Sequence, residues 1–168
     1  YKIPCTGLRF FTVYGPWGRP DMALFKFTEN ILKDKPIEIY NNGNHTRDFT
    51  FVDDISEAIG KIIKKPPKEN DLWDPLLPQS SFSSSPFQVF NIGNSKPVKL
   101  MEYVYQLEKS LNKEAIKVFS PRSDGDILET HADIDNLTNF IGYSPKTSVK
   151  EGIDLFVKWY LDYYKGKL

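Results

Sequence analysis

The stretch Thr6-Gly7-Leu8-Arg9-Phe10-Phe11-Thr12-Val13, followed by Tyr14-Gly15-Pro16-Trp17-Gly18-Arg19-Pro20, decides the fold class. The first eight residues mix β-branched, aromatic and aliphatic side chains and read as one strand. The next seven hold two prolines and two glycines, which continue neither a ladder nor a helix, so a shaped loop follows. A helix over about residues 21–33 comes next, with Leu24, Phe27 and Ile31 on one face. Pro36 breaks it, and residues 37–40 return to a strand. Strand, loop, helix, strand opens an α/β protein.

The alternation continues along the chain. Asn41-Asn42-Gly43-Asn44 is turn chemistry, because asparagine and glycine tolerate positive φ. Phe49 to Val52 read as extended. Asp54 and Glu57 then stand at capping-box spacing ahead of Ile55, Ala58, Ile59, Ile62 and Ile63 at helical period. Residues 66–86 hold five prolines and five serines around Trp73, Leu76 and Leu77, which reads as a long exposed insertion. A strand over 87–92 closes at Gly93-Asn94, and a helix over 99–111 presents Leu100, Val104, Leu107 and Leu111. A short strand at 116–119 leads into the loop Pro121-Arg122-Ser123-Asp124-Gly125-Asp126. The last helix opens on the capping box Ser148 to Glu151 and turns Ile153, Phe156, Val157 and Tyr160 inward.

Composition narrows the class. The 168 residues are about one domain's worth, and 40% apolar with 26% charged residues predicts a packed core. Twenty-two basic residues balance twenty-two acidic ones, which argues against a nucleic-acid-binding surface. No apolar run approaches the ~20 residues of a membrane span, and no segment reads as a secretory leader. A single cysteine, Cys5, leaves no internal disulfide and fits a reducing, cytoplasmic setting. The sequence begins at Tyr1, not at methionine, which suggests a piece of a longer protein.

Most catalytic signatures are missing. His45 and His131 lie 86 residues apart and neither falls in a metal-ligand cluster. There is no Gly-x-Ser-x-Gly elbow, and Cys5 reads as a buried, inert residue. Asp53 and Asp54 stand at a helix start, where capping is the expected role. No glycine-rich strand-to-helix turn announces a dinucleotide site. Tyr105/Lys109 and Tyr163/Lys167 have the spacing of a phenol base and its lysine, but a predicted surface helix and a chain end make them chance matches. Arginine carries more information. Against 18 lysines there are four arginines, and Arg19, Arg47 and Arg122 all fall in predicted loops. The planar guanidinium suits bidentate contact with phosphate or carboxylate, so an anionic ligand competes here with simple loop bracing.

The sixteen residues from Gly7 through Arg9-Phe10-Phe11-Thr12-Val13-Tyr14-Gly15-Pro16-Trp17-Gly18-Arg19-Pro20 to Met22 closely resemble the second half of nucleotide-sugar epimerases. These are extended short-chain dehydrogenase/reductase proteins, and the nearest likeness is to UDP-glucuronate 4-epimerases. Gly43-x-x-x-Arg47-Asp48-Phe49-Thr50-Phe51-Val52-Asp53-Asp54 and Phe90-Asn91-Ile92-Gly93-Asn94 agree in order and spacing. Gly125-Asp126, Ala132-Asp133 and Gly142-Tyr143-x-Pro145-x-Thr147 complete the pattern, and only residues 66–86 stand apart.

The resemblance implies the C-terminal part of a Rossmann-type NAD-binding fold joined to a small α/β substrate-binding domain, with residues 1–168 as a single unit. It implies NAD as cofactor, bound mainly by a preceding half that would also carry the catalytic tyrosine–lysine pair. No catalytic or cofactor-binding residue is therefore assigned to this chain. The expected partners are a UDP-sugar and, for the parent protein, a second copy in a homodimer, with neither nucleic acid nor membrane. By resemblance Thr12 and Arg19 face the anionic end of the sugar, Arg47 reaches the diphosphate, and Asp126 lies near the ribose or diphosphate. Tyr40 falls near the uracil pocket, with a structural role an equal alternative. Relatives carry arginine where Ser123 stands here. Either Arg122 reaches the phosphates from a shifted register, or the diphosphate relies on Arg47. The implied reaction is the interconversion of UDP-glucuronate and UDP-galacturonate, and this chain alone is expected to be inactive. The alternatives are a related nucleotide-sugar dehydratase or decarboxylase, or a non-catalytic interaction module.

Overall fold

The computed structural model describes residues 2–165. Tyr1 lies outside them, and so does Lys167 of the Tyr163/Lys167 pair. Strand β1 (Cys5–Phe10) runs parallel to β6 (Phe87–Ile92), with Leu8 opposite Phe90 and Phe10 opposite Ile92. Helices α2 (Val52–Ile62) and α4 (Asp135–Ile141) pack against this pair. Ile55, Ala58 and Ile62 join Phe90, Ile92, Leu137 and Ile141 in one buried cluster. Parallel pairing with helical cover is the α/β arrangement expected from the sequence.

The single strand expected over residues 6–13 is corrected to two. The amide of Phe11 still donates to Ile92 (3.0 Å), but that of Thr12 donates to Asp48 (3.2 Å). From there β2 (Thr12–Tyr14) pairs in parallel with β5 (Phe49–Phe51). Periodicity shows that a segment is extended but not which strand it pairs with. After the change of partner at Phe11, β2 keeps Val13 against the first cluster and turns Tyr14 into a second.

That second cluster is built by β2, β5, α1 (Ala23–Leu32), β3 (Ile37–Ile39), α3 (Leu100–Leu111) and α5 (Val149–Tyr163), with Ile31, Ile37, Tyr103, Leu107 and Phe156 among its buried residues. Strand β8 (Lys117–Phe119) runs parallel to β3, and β4 (Thr46–Arg47) pairs antiparallel with β7 (Val98–Lys99). The last helix forms as its sequence predicts. Ser148 Oγ accepts from the Glu151 amide (3.2 Å), and Ile153, Phe156, Val157 and Tyr160 are buried. Gly152, inside that helix, costs about 1 kcal/mol in helix propensity. Its reason is contact: a Cβ there would lie 2.7 Å from Tyr14 Cζ and 2.9 Å from Phe51 Cδ2.

Two further expectations are corrected. Asp54 does not cap α2, whose first residue is preceded by Phe51 with no side-chain cap. It is buried instead, and accepts hydrogen bonds from the Tyr143 hydroxyl (2.8 Å) and from the amides of Lys146 (3.2 Å) and Thr147 (3.0 Å). Burial opposes its ionisation, but those hydrogen bonds outweigh it and hold the carboxyl below its usual range. Cys5 is exposed, because β1 pairs with no strand but β6 among the described residues. Residues 66–86 form the expected exposed segment. Leu72, Leu76 and Leu77 face solvent, and an isolated bridge joins Phe82 to Gln88. Among the described residues, no helix is long and apolar enough to cross a membrane.

Gly152→Ala should lose about 1–2 kcal/mol, overpacking against Tyr14 exceeding the gain in propensity; urea unfolding checks this, and an unchanged or raised midpoint would remove the close-approach explanation. Because the Asp54 carboxyl is depressed in the folded state, its contribution is fully present above about pH 4 and is lost as pH falls through the folded value. Asp54→Asn should therefore be less stable at pH 7 and lose less stability than the parent between pH 5 and pH 2.5, read from urea midpoints across that range.

Candidate functional site

After β3 the chain reverses through Tyr40–Gly43, where Asn41 and Asn42 take left-handed φ of 51° and 50°. The chain then runs extended through residues 45–48, and alternate side chains face opposite ways. His45 and Arg47 reach one acidic residue, Asp126. Arg47 Nη2 donates to Asp126 Oδ1 at 3.0 Å, and His45 Nε2 lies 3.0 Å from Asp126 Oδ2. Arg47 Nη1 donates to the carbonyls of Thr46 (3.1 Å) and Leu128 (3.0 Å), which fixes the guanidinium plane. The segment bearing Asp126 is locked alongside by Thr46 N to Leu128 O (2.9 Å) and Thr130 N to Thr46 O (3.1 Å).

Asp48 points the other way and is fully buried. Oδ1 accepts from the Asn94 amide (2.8 Å), and Oδ2 accepts from those of Ser95 (3.0 Å) and Ala132 (2.9 Å). Its own amide donates to Thr130 Oγ1 (3.1 Å). Three loop amides thus converge on one carboxylate. The space is so tight that a Cβ on Gly93 would collide with the Ala132 methyl and come within 3.4 Å of Asp48 Oδ2. The Arg-Asp-Phe, Asn-Ile-Gly-Asn and Ala-Asp motifs are therefore parts of one contact.

A cleft of about 630 Å³ opens beside this framework, within the size range of small-ligand sites. Tyr40, His45 and Asp126 line it together with Lys26, Asn30 and Glu38. The Tyr40 hydroxyl donates to Glu38 Oε2 (2.8 Å), and that hydrogen bond with the adjacent carboxylate charge pushes the phenol up from its ordinary value. Thr12 and Arg19 share a smaller apolar pocket of about 40 Å³ with Met22 and Ala23. Ala23, at the start of α1, lines both spaces. The Thr12 hydroxyl makes no hydrogen bond among the described residues. Arg19 is exposed and forks onto the Asp21 carboxylate, itself on the cleft wall.

The structure therefore brings Tyr40, Arg47 and Asp126 to one place, with Thr12 and Arg19 adjoining across the start of α1. It does not bring Arg122 there. Arg122 is exposed, pairs with nothing among the described residues and is not on the cleft wall. Of the two arginines weighed for the diphosphate, neither lines the cleft, and Arg47 is the one bonded to a residue that does, Asp126. The Tyr105/Lys109 spacing proves to be a surface contact, with Lys109 Nζ 4.7 Å from the ring centroid. Sequence reasoning missed His45. Its signal was its position two residues before Arg47 in an extended segment, which puts both side chains on one face.

Residues 1–74 match the model of the NAD dependent epimerase/dehydratase family. The chain is 53% identical over 165 residues to Protein CapI of Staphylococcus aureus, covering 98% of this chain and 49% of that protein. It is 45% identical to a probable UDP-glucuronate 4-epimerase of Rhizobium meliloti, with the same two coverages. Among solved structures it is similar to the UDP-glucuronic acid 4-epimerase of Bacillus cereus in complex with UDP-glucuronic acid and NAD. That likeness has a TM-score of 0.79 at 31% identity, over 96% of this chain and 46% of that one. The chain spans about half the length of the curated relatives it matches.

Asp48→Asn should lose about 3 kcal/mol of stability, because an amide NH2 would face a buried backbone N–H and the charge-assisted bonds would weaken. Thermal unfolding should show a midpoint lower by roughly 6–12 °C. A midpoint within 2 °C or so of the parent would mean that the three amides do not depend on the charge.

Proposed function

For a chain that carries the sequence pattern and fold of NAD-dependent epimerases and dehydratases over about half their length, we propose that it forms the UDP-sugar-gripping part of a 4-epimerase acting on UDP-glucuronate and UDP-galacturonate. The observation that carries this reading is the meeting of Arg47 and Asp126 at 3.0 Å, from positions 79 residues apart, with Asp126 on the wall of a cleft also lined by Tyr40. A guanidinium with two nitrogens fixed on carbonyls and a carboxylate is already aimed, so little side-chain entropy remains to be lost when a diphosphate binds. The aromatic face of Tyr40 offers a surface for the base. Thr12, with an unengaged hydroxyl, and Arg19 stand where a sugar carboxylate would be met.

The residues of this chain do not fit a dinucleotide cradle. Helix α2 follows directly from parallel strand β5, the position where such a cradle would form, but its first turn holds Asp53 and Asp54. Two carboxylates at a helix N-terminus repel a diphosphate. In this reading NAD is held mainly by residues beyond this chain, and no chemical step is assigned to the residues described here. Their part is to bind and orient the nucleotide sugar.

Titration calorimetry of this chain with UDP-glucuronate should show binding, weakened at least tenfold by Arg47→Ala and by less than twofold by Arg122→Ala. Equal losses in the two variants would point to unspecific charge attraction, and no binding by the parent chain would overturn the reading.

A further inference from the structure

We propose that Lys26 is a ligand-contacting residue of the cleft, its ammonium meeting the diphosphate of the bound nucleotide sugar. The proposal rests on the UDP-sugar reading above and deepens it by naming a cation on the cleft wall itself. Helix α1 turns one face to the cleft. Ala23, Lys26, Phe27 and Asn30 line it at the i, i+3, i+4, i+7 spacing of a single helical stripe. Lys26 is the one lysine or arginine among the described residues of that wall. It is exposed, and among the described residues its ammonium makes no hydrogen bond and no close ion pair.

The carboxylates of the wall are already engaged. Asp21 takes two hydrogen bonds from Arg19, which chiefly hold its carboxyl below its usual range, with a smaller pull from Lys26. Asp126 takes Arg47 on one oxygen and faces His45 across the other. Glu38 accepts from the Tyr40 hydroxyl (2.8 Å) and from Ser120 Oγ (2.9 Å). Each anion thus has donors of its own, and the Lys26 ammonium is left for a ligand.

Order along the helix says which part of the ligand it meets. A nucleotide sugar is a linear sequence of sugar, diphosphate, ribose and base. At one end of the stripe, Ala23 also lines the pocket of Thr12 and Arg19, the place of the sugar carboxylate in the reading above. At the other end, Asn30 Nδ2 donates to the carbonyl of Pro36 (3.0 Å), which ties the helix to the strand leading to Tyr40, the place of the base. At 1.5 Å per residue the stripe is roughly 10 Å long, and Lys26 stands between its ends. A ligand laid along it carries its two negative charges over Lys26. Beside the carboxylates of Asp21 and Asp126, such a group needs a cation within reach. An ammonium on a flexible stem is a compact point charge that follows phosphate oxygens without demanding a fixed geometry.

The probes are UDP-glucuronate and uridine, which lacks the diphosphate. Calorimetry of the 168-residue chain with UDP-glucuronate should show affinity lowered about three- to tenfold by Lys26→Gln and largely kept by Lys26→Arg. Lys33→Gln, which removes an exposed lysine from the C-terminal cap of the same helix, should leave the affinity unchanged. Between about 50 and 500 mM salt the parent should lose affinity more steeply than Lys26→Gln, because the variant has one charge contact fewer to screen. Uridine, followed by saturation-transfer NMR, should bind the parent and Lys26→Gln equally, which a merely structural role for Lys26 would not allow. Equal affinity of parent and Lys26→Gln for UDP-glucuronate, or an equal loss for uridine, overturns the part given to Lys26 and leaves the UDP-sugar reading in place. Absence of UDP-glucuronate binding by the parent overturns both.

Discussion

One buried carboxylate organises the molecule around its cleft. Asp48 carries no exposed surface and takes three amide protons, two from the turn after β6 and one from the segment that leads into α4. Loops hold their shape only when their backbone donors find partners, and here three donors from two distant stretches find the same one. A neutral side chain could not satisfy them equally well. Because the neighbouring residue in an extended segment points the opposite way, fixing Asp48 inside also fixes Arg47 outside. The rigidity of Arg47 is thus inherited from a contact on the other side of the backbone.

The cleft lies where several short elements meet and not within either apolar cluster. Leu8 of β1 packs against the first cluster, β2 sends Val13 to the same cluster and Tyr14 to the second, and the change of partner at Phe11 is what brings Thr12 beside Asp48. Residues 21–30 supply five of the cleft's lining residues, 36–40 three, 118–126 two, and His45 and Leu100 one each. This construction suits a recognition surface. Charged groups are placed by backbone hydrogen bonds at the rim of a core, with no charge committed to the core's interior except those, like Asp48 and Asp54, that are fully hydrogen-bonded.

Much of this was legible in the sequence, for identifiable reasons. The α5 helix was readable from its Ser148 cap and its four inward positions, because both signals are local and periodic. The strand over 87–92 was bounded by Pro86 and Gly93. The convergence of Arg47 and Asp126 was legible only through resemblance, since no local pattern links residues 79 apart. What failed was non-local. Spacing suggested a capping role for Asp54, but the Tyr143–Thr147 segment arrives from elsewhere and claims it. The division of the first strand depends on which partners the chain meets. Cys5 is open because of what does not cover β1. His45 belongs to no metal-ligand cluster in the sequence, and only the fold sets Asp126 opposite it.

Trp17 stands in the loop between Thr12 and Arg19, with φ of 60° and most of its surface open, and its ring leans on Trp159 and Tyr163 of α5. Tyr14, just before it, nests against Gly152 of the same helix. The loop nearest the start of the sequence is therefore braced by residues that a ribosome adds about 140 positions later. During synthesis the early strands can pair as soon as β6 has emerged, but this loop stays unbraced until α5 exists. That loop, between Thr12 and Arg19, is therefore among the last parts of the chain to reach its final shape.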